Sequence, residues 1–312
     1  MNRGSEAANR PTDRREQAQT NDLAGAPESP PDASDSRRVV VATDTPPGRA
    51  TGVLMSQVRQ QLSDRDQAVL WSLANLRLMT TRQIERLHFR EGSRLTQARR
   101  CRHTLERLHR FDLTHRLSRR VGGIHAGSSS FVYSLSSRGR RLLGLDGPAG
   151  GRRRRPNEPS VAFQDHVLAI TELCVQLHDD ARGGRFELLG FEPEPACWRR
   201  YSGVGGERLI LKPDAFVVIA DGEFEILNFV EVDLGTEGRT TLRRKGDTYL
   251  DYATSGTEQL RSGVFPRVVF LVPDEARAGV VVSALRGVRR GDELFVVGTL
   301  ERAATVLSGS DS

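Results

Sequence analysis

The sequence predicts a mixed α/β chain in two folded parts: a small helical domain closed by a β-hairpin, then a larger α/β sandwich around a mixed central sheet. Three observations point there. The length of 312 residues gives room for about two domains of roughly 100 to 200 residues each. The hydrophobic period changes between helical and alternating at definite places. Charge also divides sharply along the chain. The formal net charge is +6, yet residues 1–62 carry 8 basic and 8 acidic groups, residues 63–155 carry 21 and 7, and residues 156–312 carry 17 and 25. The segments are therefore 0, +14 and −8.

Residues 1–62 are rich in Pro, Ser, Asp, Ala and Arg, with no apolar periodicity beyond Val39 to Val41. Such a segment cannot offset chain entropy by burial, so a disordered tail is expected. Ser63 caps a first helix that carries Val69, Leu70, Leu73 and Leu76, with Asp64 and Asp66 in its first turn. Thr80 caps a short second helix over Thr81 to His88, and a third runs from Ser93 to about Arg110. Thr114 to Arg120 and Phe131 to Leu135 then read as two strands joined by the Gly- and Ser-rich residues 121–130, and Ser137 to Leu143 as a short basic helix. Three short helices followed by a hairpin make a winged helix-turn-helix domain over residues 63–146.

A +14 segment whose arginines alternate with apolar residues at helical spacing implies a polyanionic partner, double-stranded DNA. Leu95, Ala98, Cys101, Leu105 and Leu108 share one predicted face of the third helix. Arg94, Gln97, Arg100, Thr104 and Arg107 are left for the major groove, where Arg suits guanine and Gln suits adenine. Arg116, Arg119 and Arg120 are expected on or beside the wing, within reach of phosphates. Residues 147–159, with Arg152 to Arg155 between glycines and Pro156, have the composition of a basic linker.

A helix is expected from Ser160 to about Ala181, then strands at Phe186 to Phe191, Leu209 to Ala220, Phe224 to Asp233, Val268 to Val272 and Leu294 to Val297. Helices near Thr240 to Ala253 and Glu275 to Arg289 lie between the later strands. This order gives an α/β sandwich over residues 160–300, with residues 301–312 as a flexible end. Lys212-Pro213-Asp214 falls in the second of those strands and Glu231-Val232-Asp233 ends the next, where alternate residues share a face. Pairing of the two strands would bring Asp214, Glu231 and Asp233 together. Their mutual repulsion calls for a hard cation such as Mg²⁺.

These features resemble the PD-(D/E)XK nuclease fold, in which the Asp and a later acidic residue bind Mg²⁺ and a lysine assists an activated water. The chain has Asp233 where that pattern expects lysine. The resemblance implies that Lys245, on the following helix, supplies the missing group. Lys212 and Lys245 are the only lysines among 46 basic residues, and lysine can shift its pKa and act as a point charge where arginine cannot. Glu172 and Glu237 are further candidate ligands, and His166 is either a site residue or a satisfied helix histidine.

The string Thr80-Thr81-Arg82-Gln83-Ile84, Tyr133-Ser134-Leu135 before Arg138-Gly139, Lys212-Pro213-Asp214, and Glu231 to Glu237 with Lys245 and Tyr249 resemble the replication-relaxation family of actinomycete plasmids and integrative elements. That resemblance implies involvement in plasmid replication or in DNA relaxation before transfer. Together with the nuclease-like pattern it leads to the expectation of a DNA-binding protein whose endonuclease-like domain uses Asp214, Glu231, Asp233 and Lys245 as its catalytic set with Mg²⁺. Two alternatives keep the fold without the reaction. One is a transcriptional or replication regulator whose second domain serves dimerisation or partner binding. The other is an adaptor whose acidic domain recruits a relaxase or replication protein. No sequence feature marks a dimer interface, and no apolar span or leader suggests a membrane. Cys101, Cys174 and Cys197, odd in number and without metal spacing, fit a reduced cytoplasmic protein without structural zinc.

Overall fold

Local side-chain chemistry starts each of the first three helices. Ser63 and Asp66 form a reciprocal cap in which the hydroxyl accepts from the Asp66 N–H at 3.2 Å and the carboxylate accepts from the Ser63 N–H at 2.8 Å. Helix α1 (Asp64–Leu76) follows. Thr80 and Gln83 repeat the device for α2 (Thr81–His88), and Ser93 caps α3 (Arg94–Arg110). The computed structural model describes residues 55–117, 131–145, 159–288 and 294–309, all within one compact unit. The wing positions Arg119 and Arg120, residues 121–130, and all of the expected linker but residue 159 lie outside the described residues.

A three-stranded antiparallel sheet packs with these helices, in the order β1 (Met79–Thr80), β3 (Val132–Leu135), β2 (Thr114–Arg116). Helix α4 (Ser137–Leu142) fits beneath it because residue 139 is glycine: a Cβ there would lie 2.3 Å from the Leu113 carbonyl oxygen. Residues 55–60 are helical, and Val58 and Leu62 are buried with Leu70, Leu73 and Leu105. The expected tail over residues 1–62 therefore extends too far. Val58 and Leu62 find apolar partners only through tertiary contact.

The second part begins with α5 (Val161–Arg182). Its sheet has the order β10-β9-β8-β7-β4, formed by β4 (Glu187–Pro193), β7 (Ala215–Asp221), β8 (Phe224–Val232), β9 (Arg267–Val272) and β10 (Phe295–Thr299). The pairs β4/β7 and β7/β8 are antiparallel, whereas β8/β9 and β9/β10 are parallel, so the sheet is mixed as expected. Helices α6 (Arg239–Thr254) and α8 (Glu275–Leu285) cover one face around Phe229, Phe270 and Tyr252. Helix α5 and the C-terminal α9 (Ala303–Ser308) cover the other around Val217, Val230 and Leu271. At Gly246 a Cβ would meet Val288 Cγ2 at 2.8 Å, so the glycine lets α6 lie close to the chain just after α8.

The structure corrects three expectations in this region. The strand expected over Leu209 to Ala220 is broken at Lys212-Pro213-Asp214, where proline has no N–H for a ladder. Its first part, β6 (Arg208–Leu211), pairs instead with β5 (Arg199–Ser202) in a separate hairpin. A short helix, α7 (Thr257–Ser262), stands where none was expected. The expected flexible end is helical, with Ala303, Ala304, Val306 and Leu307 buried. One short apolar turn carries too little periodicity to be read as a helix. Among the described residues no helix is long and apolar enough to cross a membrane. All three cysteines are free and buried.

The two parts share packing and polar contacts. Cys174 of α5 belongs to the core of the first part, and the Thr171 hydroxyl donates to the Leu78 carbonyl at 2.8 Å. Inside the first part, Arg107 donates to both oxygens of Asp66, at 2.5 and 2.6 Å, and Asp66 is fully buried. Asp66 is thus both a helix cap and half of a buried ion pair. We expect Asp66→Ala to cost about 2–4 kcal/mol, through removal of the cap and the unpaired Arg107, and the exposed Arg99→Ala less than about 0.5 kcal/mol. Urea titrations of the two variants check this.

Candidate active site and nucleic-acid interface

The end of the β7/β8 hairpin and the N-terminal half of α6 bring Asp214, Glu231 and Lys245 together. Asp214 immediately precedes β7, and its N–H donates to the Val230 carbonyl at 3.0 Å, continuing the ladder by one residue. Its carboxylate accepts from the Val232 N–H at 2.7 Å and contacts His166 Nε2 at 3.0 Å. Glu231 is buried on the α6 side of the sheet. One of its oxygens accepts from Lys245 Nζ at 2.7 Å and the other from the Tyr249 hydroxyl at 2.6 Å. Lys245 also pairs with Glu237 at 2.8 Å. Lys245 and Tyr249 are one helical turn apart, so both reach the same carboxylate.

The electrostatics of this group are asymmetric. Burial, and then the Asp214 charge, push the Glu231 carboxyl up to about 7 against the opposing pull of Lys245 and Tyr249. Burial acts to lower Lys245, but the charges of Glu231 and Asp214, with hydrogen bonds to Glu231 and Glu237, hold it above its ordinary value. The ammonium has more than one anionic neighbour, whereas Glu231 shares Lys245 with Glu237 and feels the Asp214 charge while fully desolvated. The hydrogen bond to Asp214 raises His166. Burial, then Glu231, raises Tyr249 well above the usual phenol range, which keeps it a donor.

Asp233 shares the side of the sheet expected for it but has a separate partner. One oxygen accepts from the Gly235 N–H at 2.9 Å, and the other from Arg277 of α8, Nε at 2.7 Å and Nη2 at 2.5 Å. Arg277 also donates to the Glu237 carbonyl at 2.6 Å. Among the described residues no group of three or more His, Cys, Asp or Glu is arranged to hold a metal ion. The expected Mg²⁺ set of Asp214, Glu231 and Asp233 is therefore not formed as a three-carboxylate centre, because Arg277 occupies Asp233 and Lys245 occupies Glu231. Glu172 lies elsewhere, bonded to Arg86 and Gln83. Lys212 stands over the Trp198 ring, 4.9 Å from its centroid, and not on the carboxylates. In the sequence Tyr249 stands out only within the family string, and its spacing of one turn from Lys245 is the signal that could have given its role on Glu231. Arg277 was not legible, since only the fold brings α8 to the end of β8.

Helix α3 presents a different face from the one its spacing suggested. Cys101, Thr104, Leu105 and Leu108 are buried, while Leu95 is 82% exposed. The outward stripe holds Leu95, Arg99, Arg102, His103, Glu106 and Arg110. Thr104 is inside, and Arg107 reaches back to Asp66. The Gln97 amide donates to the carbonyls of Arg90 and Gly92 at 2.6 and 2.9 Å, which ties the turn between α2 and α3. Arg94 remains exposed, Arg100 stands 3.5 Å from Glu91, and Arg116 covers the Phe131 ring at 4.3 Å.

A family model described as replication-relaxation matches residues 70–268, which is more than half of the chain. The chain belongs to the replication-relaxation family. The matched span runs from within α1 into β9, so the arginine-rich α3 and the Asp214, Glu231 and Lys245 cluster both lie inside the replication-relaxation region. No curated protein and no solved structure matched the chain.

The sign of the pH dependence follows from the raised carboxyl. Glu231 binds its proton more tightly in the folded than in the unfolded chain, so its contribution to stability is full below its ordinary value of 4.5 and is lost as pH rises through about 7. His166 acts in the same direction, with its contribution lost above its ordinary 6.5. Burial lowers His88 to about 4, which acts in the opposite direction. Comparison with Glu231→Gln isolates the carboxyl. From about pH 5 to about pH 8 the wild type should lose thermal stability relative to that variant. Parallel melting curves at every pH would mean that Glu231 is ionised throughout.

Proposed function

We propose that the chain is a duplex-DNA-binding protein acting in the replication or relaxation of a mobile element, through a winged helix-turn-helix carried on a nuclease-like α/β sandwich. One observation carries the reading. Arg99, Arg102 and Arg110 on the outward stripe of α3 have no acidic partner among the described residues, whereas the carboxylates at the sheet end are matched internally by Lys245 and Arg277. Three exposed cations on one helix suit phosphate and groove contacts. On this reading the sandwich serves mainly as a rigid support, and the protein acts as a regulator or adaptor.

A second reading, metal-dependent cleavage, draws on the convergence of Asp214, Glu231 and Lys245, which matches the carboxylate and lysine parts of the nuclease pattern. A third ligand would have to come from outside the group that Arg277 holds. In either reading Lys245 and Tyr249 fix the Glu231 carboxylate, and His166 fixes Asp214.

Salt titration of duplex binding tests the first reading. Apparent affinity should fall steeply with salt, and Arg99→Ala with Arg102→Ala should reduce the slope of log affinity against log salt by about 1 for each phosphate that is no longer neutralised. An affinity indifferent to salt would overturn it. Incubation of supercoiled and linear DNA with Mg²⁺, Mn²⁺ or chelator separates the two readings. We expect intact DNA in every lane. Metal-dependent nicking by the wild type that is abolished in both Asp214→Ala and Lys245→Ala would establish the nuclease instead.

A further inference from the structure

Beside the α2–α3 turn is a cleft of about 420 Å³ that the sandwich helps to build. Its walls carry Arg82, Arg86 and Arg90 from α2 and the residues after it, Arg94 from α3, and Arg182 from the last turn of α5. Only two carboxylates, Glu85 and Asp179, line it, so five positive charges face two negative ones, a surplus of three. Asp179 alone serves three of the arginines: Arg86 at 2.8 Å, Arg90 at 3.3 Å and Arg182 at 3.0 Å. Arg86 reaches Glu172 as well, outside the cleft. Arg82 and Arg94 are exposed and have no side-chain hydrogen bond or ion-pair partner among the described residues.

A carboxylate shared in this way holds guanidinium groups in place without neutralising them. Each guanidinium has five N–H donors in a fixed fork. Arg90 uses one on Asp179 and one on the Arg86 carbonyl, which leaves donors for an incoming anion. The wall on the α3 side is fixed by Gln97, whose amide ties the carbonyls of Arg90 and Gly92. The cleft lies beside the first turn of α3, the helix whose outward stripe carries the exposed arginines. A tetrahedral oxyanion with several acceptor oxygens suits this geometry better than a carboxylate, since arginines can address it from more than one side.

We propose that this cleft takes a backbone phosphate of the duplex bound along α3, so that Arg182 of the sandwich completes the DNA-binding surface of the first part. The inference rests on the DNA-binding reading above and adds to it a definite phosphate site and a second source of contacts. It also gives the Arg86, Asp179 and Glu172 network a role beyond holding α2 to α5: it sets the position of the cleft.

The experiment compares the full chain with Arg94→Gln and Arg182→Gln, singly and together, in fluorescence-anisotropy titrations of a labelled duplex at several salt concentrations. A parallel set of melting curves is recorded in inorganic phosphate and in chloride at equal ionic strength. The double variant should bind the duplex about tenfold more weakly, with the salt slope reduced by about 1, as expected for one neutralised phosphate. It should also lose any extra stabilisation that phosphate gives the wild type. Duplex binding and slope unchanged in the double variant would overturn the proposal while leaving the DNA-binding reading intact. If only the stabilisation by inorganic phosphate disappeared, the cleft would serve a small phosphate ligand and the duplex assignment would fail. A wild type that binds no duplex would overturn the DNA-binding reading and this inference with it. Should Arg182→Gln lower the melting temperature in chloride, the titrations are run well below the melting transition of every variant. Duplex binding by Arg182→Gln no weaker than by wild type there would overturn the contribution of the sandwich, while Arg82→Gln, at an exposed and unpartnered position, checks the cleft itself.

Discussion

A buried carboxylate needs a partner for its charge, and that requirement organises much of the structure: of the five buried among the described residues, four meet Arg or Lys and the fifth, Asp214, meets His166. Asp66 has Arg107, Glu231 has Lys245, Asp233 has Arg277, and Glu258 has Arg199, itself buried between the Tyr252 region and the Phe216 and Phe229 rings. An unpaired charge in such places costs several kcal/mol, so each pair constrains the two elements that supply it. These pairs hold α1 to α3, α6 and α8 to the end of β8, and the β5/β6 hairpin to α7. Such pairs contribute little net stability, but once one is buried neither member can be removed cheaply.

The same rule sorts the arginines of the chain. Arg107 and Arg199 turn inward to buried acids, Arg86, Arg90 and Arg182 share Asp179 beside the cleft, and Arg99, Arg102 and Arg110 on the α3 stripe have no acidic partner among the described residues. Among the described residues, seven arginines of the first part lie on the α3 stripe or around the cleft, to which the sandwich adds Arg182. The acidic character of the second part is likewise drawn toward local partners: Asp179 toward three arginines, Glu172 toward Arg86, and the sheet-end carboxylates toward Lys245 and Arg277.

What was legible in the sequence follows the range of the interactions involved. The starts of α1, α2 and α3 could be read from Ser63, Thr80 and Ser93, because a cap involves residues three apart. The mixed sheet was legible from element order and the approach of Lys245 to the carboxylates from the resemblance to the nuclease pattern, whereas the rarity of lysine pointed equally to Lys212, which stands over Trp198 instead. The face of α3 was misread because its apolar pattern is sparse. Leu95 looked like a core residue, yet α3 rotates so that Thr104 packs inward and Arg107 meets an aspartate 41 positions earlier. The grouping of Asp233 with Asp214 and Glu231 was reasonable from strand alternation alone, but α8 inserts Arg277 against it.

By itself, the sequence determined the two-part organisation, the caps, the alternation that sets Glu231 and Asp233 on one side of their strand, and the segment that carries excess positive charge. These depend on spacing and composition, which act over a few residues or over whole segments. Only the tertiary structure decided which cation meets which carboxylate, which stripe of α3 faces outward, and that α5 completes a cleft at the α2–α3 turn. Those outcomes depend on packing between elements tens of residues apart, where sub-ångström fit and the cost of leaving a buried charge unpaired select one arrangement among many with the same local pattern.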